Sequence, residues 1–458
     1  MKKTLLSLAL LSSVGMAQAS EDRIKMLEEQ IKLLQMEVQK LKQEQSSVQE
    51  VKQETDVIKE EIRKLRLEIA MPELEVKSYY GLGPAASKAM FNQKGVSIGG
   101  YGELTLLNSS VDARGGAKTI ADMERLIIYL GYAFNEKLKF NSELELEHSS
   151  TSGSHGTGGG YFKTELAFLD YNFRPEFGVR GGLLLMPVGI VNEIHEPPTF
   201  PSAVRPFLER RILLSTWEEM GAGVYGRFKN VDYRFYITNA LMIKGGGDYN
   251  ELEPLKNLRQ RGARAVADRY GFTGRVDVEF DGLKIGGSFW TGDIVSKGKE
   301  NSNLNLTRGT KLGSLTILSP HLWYQDKGWD IRLVGAFVDL KGADKITQDY
   351  KGSGSEVFPS KQKGYFLQVA YDAFRLLKID GQELYLFGIY ENLDTFSSVP
   401  SGKSKPAGHK LKVYNFGLSY KPHPLVAIKP DIVKLDYSPN SDKRKDETQY
   451  RLTLGFMF

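Results

Sequence analysis

The chain has 458 residues, 41% of them hydrophobic and 26% charged, with a formal net charge of +5 and no cysteine. Its one long apolar run lies at the very start, which excludes a bundle of membrane-spanning helices, since those need repeated runs of about 20 apolar residues. Without Cys there is no disulfide framework, thiol catalysis or Cys-based zinc site, and so mild a charge points to no nucleic-acid partner. A membrane β-barrel stays open, because its strands hide their apolarity by alternation; 47 Gly, 22 Tyr and 23 Phe suit that class.

Residues 1–19 read as an export signal. Lys2 and Lys3 precede an apolar stretch from Leu5 to Met16, and Ala17-Gln18-Ala19 has the A-x-A form of a cleavage site. From Ile24 the apolar residues step by 3 and 4 through Leu27, Ile31, Leu34, Val38 and Leu41, and again through Ile58, Ile62, Leu65 and Ile69. This is the 3.5-residue period of a coiled coil, and Pro72 stops the helix. The expected organisation is signal peptide 1–19, periplasmic coiled coil 20–71, linker 72–93 and barrel 94–458. Ile/Val at a and Leu at d in the first half favours dimers, while Ile at both in the second favours more strands, so the heptads leave the choice open.

Beyond residue 94 the texture changes to period-2 alternation broken by turn residues. In the last segment Tyr450, Leu452, Leu454, Phe456 and Phe458 share one face, and Arg451, Thr453, Gly455 and Met457 the other. The segment at 231–238 alternates likewise. Charge on one face and aromatics on the other predict a lipid-facing girdle around a polar lumen. Short turns are expected near 135–137, 174–177, 229–230, 281–282, 326–328, 378–382 and 421–425. Long loops are expected near 108–119, 149–160, 188–216, 244–268, 296–309, 342–361, 396–409 and 438–446. Seven short turns and eight long loops make 16 strands. The predicted fold is all-β, a 16-stranded antiparallel transmembrane barrel preceded by an α-helical coiled coil. Such a barrel leaves an aqueous channel and keeps both chain ends on the short-turn, periplasmic side.

The third long loop stands apart. From Pro187 to Ile212 it carries five of the 17 prolines together with Val188, Ile190, Phe200, Phe207 and Ile212. That composition suits a loop folded into the lumen, where Arg205, Arg210 and Arg211 would line the narrow point. The run Met186-Pro-Val-Gly, Asn192-Glu-Ile-His-Glu-Pro-Pro-Thr-Phe200, Glu209-Arg210 and Thr216-Trp217-Glu-Glu-Met-Gly-Ala-Gly223 resembles the phosphate-selective porin O and P family. The resemblance implies a 16-stranded trimeric barrel, a constricting inward third loop, and arginine and lysine ladders in phosphate-selective members. By alternation Arg125, Arg180, Arg227, Arg234, Arg275, Lys284, Arg332, Glu143 and Glu145 are the pore-lining candidates. Acidic neighbours such as Glu103, Asp170, Asp232 and Asp277 balance the basic ones, which predicts moderate anion preference without a tight phosphate site.

The remaining motifs are weaker. No two of the six histidines sit at metal-ligand spacing, so neither a metal nor a cofactor is expected. Gly153 to Gly160 lacks the Lys-Ser/Thr of a P-loop and reads as a loop tip. Asp248, Glu251 and Glu253 read as solvated rather than as a Ca²⁺ loop. The dense Arg259, Arg261, Arg264 and Arg269 are placed to attract anions at the mouth, to bind lipopolysaccharide phosphates, or to stay solvated. No Ser/His or Asp/His catalytic constellation is evident, so no enzyme is predicted. Phe458, a terminal aromatic, reads as the assembly signal for the barrel assembly machinery. The expected partners are the chain itself as a homotrimer, outer-membrane lipid and lipopolysaccharide, small solutes or anions, and the cell wall if the coil reaches it. The expected function is a passive outer-membrane porin; the alternative is a structural or adhesive surface protein whose coil is a stalk anchored by the barrel.

Overall fold

The computed structural model describes residues 78–111, 118–149, 160–243, 249–350, 352, 354–441 and 444–458, with residues 30–32 and 36. The chain divides into two compact units, Met1–Glu75 and Val76–Phe458. In the first, residues 30–32 and 36 are helical and exposed. The expected signal peptide and the rest of the expected coiled coil lie outside the described residues.

The second unit is a closed barrel of 16 antiparallel strands. They are β1 (Gly95–Ser109), β2 (Thr119–Ala133), β3 (Leu138–Glu147), β4 (Phe162–Arg174), β5 (Phe177–Leu185), β6 (Glu218–Phe228), β7 (Val231–Asn239) and β8 (Tyr270–Phe280). Then follow β9 (Leu283–Val295), β10 (Lys311–Asp326), β11 (Trp329–Lys341), β12 (Lys361–Asp372), β13 (Glu383–Ser398), β14 (Lys410–His423), β15 (Val426–Ser438) and β16 (Glu447–Met457). A two-residue segment, Leu241–Met242, adds a parallel pairing to the end of β9. The seven short and eight long connections fall where turn chemistry places them. Asp281-Gly282 and Lys327-Gly328, for example, take positive φ at both residues, the hairpin geometry that glycine favours. The connection from β12 to β13 is longer because Ala373–Leu377 winds into a short helix.

Each strand hides one face and shows the other. Tyr450 is 54% exposed and Arg451 beside it 5%, so the apolar face points outward and the charged face inward, as in a barrel that meets lipid. The barrel closes where β1 pairs with β16, from Tyr101 opposite Met457 to Ser109 opposite Gln449. Phe458 completes this seam: its N–H donates to the Gly100 carbonyl at 2.9 Å, and the Gly100 N–H donates to its carbonyl at 3.0 Å. Deleting Phe458 is expected to lower the yield of inserted barrel while leaving the conductance of inserted molecules unchanged. Gel-shift measurement of folded yield checks this, and wild-type yield would contradict it.

The inner face corrects one expectation. It mixes charged residues with buried Tyr101, Ile127, Tyr129, Phe168 and Tyr236 on β1–β4 and β7, and on β10–β15 it carries Ile317, Val334, Val338, Phe366, Ile389, Val413 and Leu435, all buried. These residues form one core with Leu208, Ile212 and Leu214 of the third loop and with Leu255, Leu258, Ile346 and Phe358 of later loops. The reason is that apolar loop segments fold into the barrel, and burying them against an apolar wall contributes about 25 cal/mol per Å². The lumen is therefore partly filled by loop segments packed on its wall.

Residues 84–91, inside the segment read as a linker, form helix α1 (Pro84–Phe91) with Pro at its start, a position where its missing N–H costs nothing. Ala85, Ala86, Ala89 and Met90 are buried on the inner side of β1–β3. Lys139 Nζ donates to the Met90 carbonyl and Asn141 Nδ2 to that of Ala86 at 2.8 Å. Gly131 permits this approach, since a Cβ there would lie 2.1 Å from the Ala89 methyl.

Candidate pore constriction

The third loop, 186–217, crosses the barrel interior. Its neck is closed by Asn192, whose Nδ2 donates to the carbonyls of Met186 (2.8 Å) and Trp217 (2.9 Å), while the Trp217 N–H donates to its Oδ1 at 2.7 Å. The turn at Gly189 takes φ +74, and a Cβ there would strike Glu209 Oε2 at 2.2 Å, so glycine is required on both counts. Glu209 accepts from the Ile190 N–H at 2.9 Å.

Wall residues then seize the loop around the barrel. Gly189 N–H donates to Ser288 Oγ of β9 (3.0 Å) and its carbonyl accepts from Arg275 of β8 (2.7 Å). Arg332 of β11 donates to the Thr199 carbonyl at 2.9 Å, Lys429 of β15 to the Pro197 carbonyl at 2.9 Å, and the Ala203 N–H to Asp431 of β15 at 2.9 Å. Glu391 of β13 accepts from the N–H groups of Phe207 (2.9 Å) and Leu208 (2.7 Å), at the start of helix α2 (Phe207–Arg211). Six inward polar residues, Arg275, Ser288, Arg332, Glu391, Lys429 and Asp431, are thus used to hold backbone that water would otherwise have to satisfy.

The basic wall residues are mostly neutralised. Arg180 pairs with Asp170 at 3.0 Å and lies over the Tyr225 ring. Arg234 meets Asp232 (2.5 Å), Glu193 (3.1 Å) and Asp277 (3.4 Å). Arg275 meets Asp277 (2.8 Å) and Glu193 (3.8 Å). Arg332 meets Asp330 at 2.6 Å and Arg451 meets Asp431 at 2.7 Å. Lys284 lies 3.9 Å from Glu279 and over Trp323. Arg227 is exposed beside the turn at 229–230, with Asp232 at 3.6 Å. Several of these pairs are i and i+2 on one strand, the spacing that puts two side chains on one face.

An open space of about 730 Å³ lies between the loop and β1–β4. Arg125, Lys163, Arg205, Arg210, Lys256, Arg259 and Arg261 line it, against Glu103, Glu124, Glu147 and Glu165. Arg205 Nη1 donates to Thr216 Oγ1 at 2.6 Å, and Arg210 shares the lining. Arg211 departs from its expected place. Its Nη2 donates to the Tyr437 hydroxyl at 3.1 Å and its guanidinium lies 5.0 Å from the Phe207 ring centroid. Successive helix residues point about 100° apart, so Arg210 and Arg211 of α2 face different ways. A second space of about 920 Å³ lies on the opposite side, bordered by Pro198, Phe200, Trp323, Asp330, Tyr385 and Lys421.

Lys163 and Lys256 were not singled out by sequence. Alternation within β4 puts Lys163 on the Glu165 face, but a shift in register between Glu143 and Leu144 hides that signal. Lys163 Nζ meets Glu165 at 2.5 Å, Glu145 at 3.1 Å and Glu218 at 3.6 Å. Glu145 also lies 3.5 Å from Arg125, which pairs with Glu103 at 3.1 Å. Arg259 and Arg261 fold inward; Arg259 donates to the carbonyls of Leu214 (2.7 Å) and Thr216 and so ties a later loop to the third. Arg269 instead meets Asp293 at 3.6 Å. Glu253 pairs with Lys256 at 2.9 Å and Glu251 with Arg444 at 3.7 Å, while Asp248 lies outside the described residues. Burial raises the Glu209 and Glu196 carboxyls to about 7 and about 8. Burial likewise lowers Lys256 to about 8 against the opposing pull of Glu253.

No family model matches the chain. An uncharacterized protein of Aquifex aeolicus (strain VF5) is 48% identical over 394 residues, which is 85% of this chain and 85% of that one. The chain belongs to that protein's family. Among solved structures, OmpF of Salmonella typhi in complex with daunomycin is similar over 80% of this chain and 98% of its own, with a TM-score of 0.51 at 11% identity. An anion-selective porin from Comamonas acidovorans is similar over 80% of this chain and all of its own, with a TM-score of 0.50 at 13% identity. The family member described here thus shares the porin barrel fold.

Proposed function

We propose that the chain forms a passive outer-membrane pore for small hydrophilic solutes, with moderate anion preference set in the space beside the third loop. The observation that carries this is the lining there, seven basic against four acidic side chains. The excess belongs to the groups that face the space, since Glu145, Glu218 and Glu253, which pair with Lys163 and Lys256, do not line it. Cations facing a narrow passage attract anions and repel cations, and arginine forks suit oxyanions of the phosphate type. The carboxylate partners of the wall arginines support a moderate preference rather than a tight phosphate site. The complete barrel in one chain favours this reading over a stalked adhesin, whose chains each supply only a few strands. Lipid and lipopolysaccharide surround the barrel in this reading. The heptads of 24–69 support a coil on the periplasmic side and, with the resemblance to trimeric porins, a homotrimer. The native mass of the detergent-extracted protein tests the assembly: a single barrel per particle overturns it. Planar-bilayer recording tests the function: open, ohmic pores whose zero-current potential favours anions are expected, and inserted barrels without conductance overturn it.

The preference is expected to weaken with alkalinity. Lys256 is positive below about 8 and neutral above it, so the lining loses a charge earlier than an ordinary lysine, with its pKa of about 10.4, would allow. Between about pH 6 and pH 9 the anion-to-cation permeability ratio should fall, and Lys256→Arg, which stays charged, should flatten the profile. An equal fall in Lys256→Arg would remove Lys256 from the explanation.

A further inference from the structure

His195 sits on the third loop, 2% exposed. Its Nδ1 lies 2.9 Å from the Asn192 carbonyl oxygen. A carbonyl only accepts, so Nδ1 carries a proton, and in the neutral ring Nε2 is then a bare lone pair. That lone pair faces two carboxylates from the wall, Glu143 Oε1 of β3 at 3.4 Å and Glu165 Oε2 of β4 at 3.5 Å. The donor atoms of all three lie within 4.8 Å of one another. Both side chains are buried, and His195 Nε2, both Glu143 oxygens and Glu165 Oε2 have no hydrogen-bond partner. Lys163 is 2.5 Å from the other oxygen of Glu165, so Glu143 is the less compensated of the two.

Buried carboxylates and a lone pair aimed at one another are unfavourable unless a metal cation or a proton on Nε2 stands among them. The spacing says which kind. A tetrahedral site with metal–ligand bonds near 2.0–2.2 Å sets neighbouring ligand atoms about 3.4 Å apart, and the two edges from Nε2 are 3.4 and 3.5 Å. Calcium takes about six to eight oxygens, more than this site offers. A carbonyl on the other ring nitrogen is the usual outer partner of a ligating histidine. We propose that Glu143, Glu165 and His195 bind one divalent transition-metal ion of the zinc class, pinning the third loop to the β3–β4 wall. Two carboxylates and a neutral imidazole balance the ion's charge, and one ligand comes from the loop while two come from the barrel.

The test uses the full-length folded protein, stripped with chelator and titrated with Zn²⁺ and then Co²⁺. One Zn²⁺ per chain is expected after desalting, and Co²⁺ should develop the visible absorption of a low-coordinate nitrogen–oxygen site. Glu143→Gln, which keeps the shape of the side chain, and His195→Gln should each lower affinity by about 100-fold or more, with the barrel's gel shift intact. Zinc well below one ion per chain in folded wild type overturns the proposal and leaves a protonated His195 bridging two carboxylates. Undiminished binding by Glu143→Gln overturns it as well, by placing the ion elsewhere.

Discussion

Replacing Arg205 and Arg210 together by Ala is expected to move the zero-current potential towards cations and to raise conductance slightly. The two guanidinium groups line the space between the third loop and β1–β4. Their removal leaves five basic against four acidic groups in a lining that began with seven and four. Even in the dielectric of bulk water, a unit charge about 4 Å from a passing anion is worth about 1 kcal/mol. That is roughly a fivefold change in local anion concentration, and salt screening beyond about 10 Å confines it to the narrow zone. Arg211→Ala is the control. Its guanidinium is spent on Tyr437 and Phe207, so selectivity should stay at the wild-type value. Wild-type selectivity in the double variant, or a shift in Arg211→Ala as large as in the double, would show that the loop presents a different face to the solute. A wild type that already prefers cations would show that the acidic lining dominates.

Arg275→Ala is expected to have the largest effect on the loop's hold. Arg275 is buried and joins Asp277 on its own strand, Glu193 on the loop and the Gly189 carbonyl, and lies 3.3 Å from His321 Nε2. Its loss leaves carboxylates in the interior with one cation fewer, and removing one partner of a buried ion pair costs about 3–5 kcal/mol. The urea midpoint of the folded barrel should fall accordingly. Single-channel traces should become noisier and their mean conductance larger, because the loop is released at Gly189. Adding Asp277→Asn should recover part of the midpoint, since Asp277 loses its closest guanidinium and keeps only His321 at 2.7 Å and the more distant Arg234 at 3.4 Å. An unchanged midpoint and quiet traces in Arg275→Ala would mean that Ser288, Arg332, Lys429 and Glu391 hold the loop without it.

Much of the barrel is legible in the chain. A strand in a barrel wall has one wet and one lipid-facing side, so its side chains alternate with period two, and β7 and β16 announce both their existence and their facing. Turns are equally local, because Gly282 and Gly328, after Asp281 and Lys327, take the positive φ that glycine adopts without strain. The inward path of the third loop is visible in its prolines and apolar residues, which are too costly to leave in water. The tertiary structure alone decided what the charges do. Sequence alternation places Arg180, Arg234, Arg275 and Arg332 on the inner face with acidic neighbours, but is silent on the carboxylates that the loop adds. Two such contacts come from Glu193. It is equally silent on the apolar residues that β10–β15 carry among the polar ones of their inner face, where loops distant in sequence pack. Arg210 and Arg211 part company only once α2 forms. His195 meets Glu143 and Glu165 only because the loop returns across the lumen to strands that precede it. Such meetings depend on the path of a loop held by long-range hydrogen bonds, and a path of that kind leaves no periodic mark on the residues that take it.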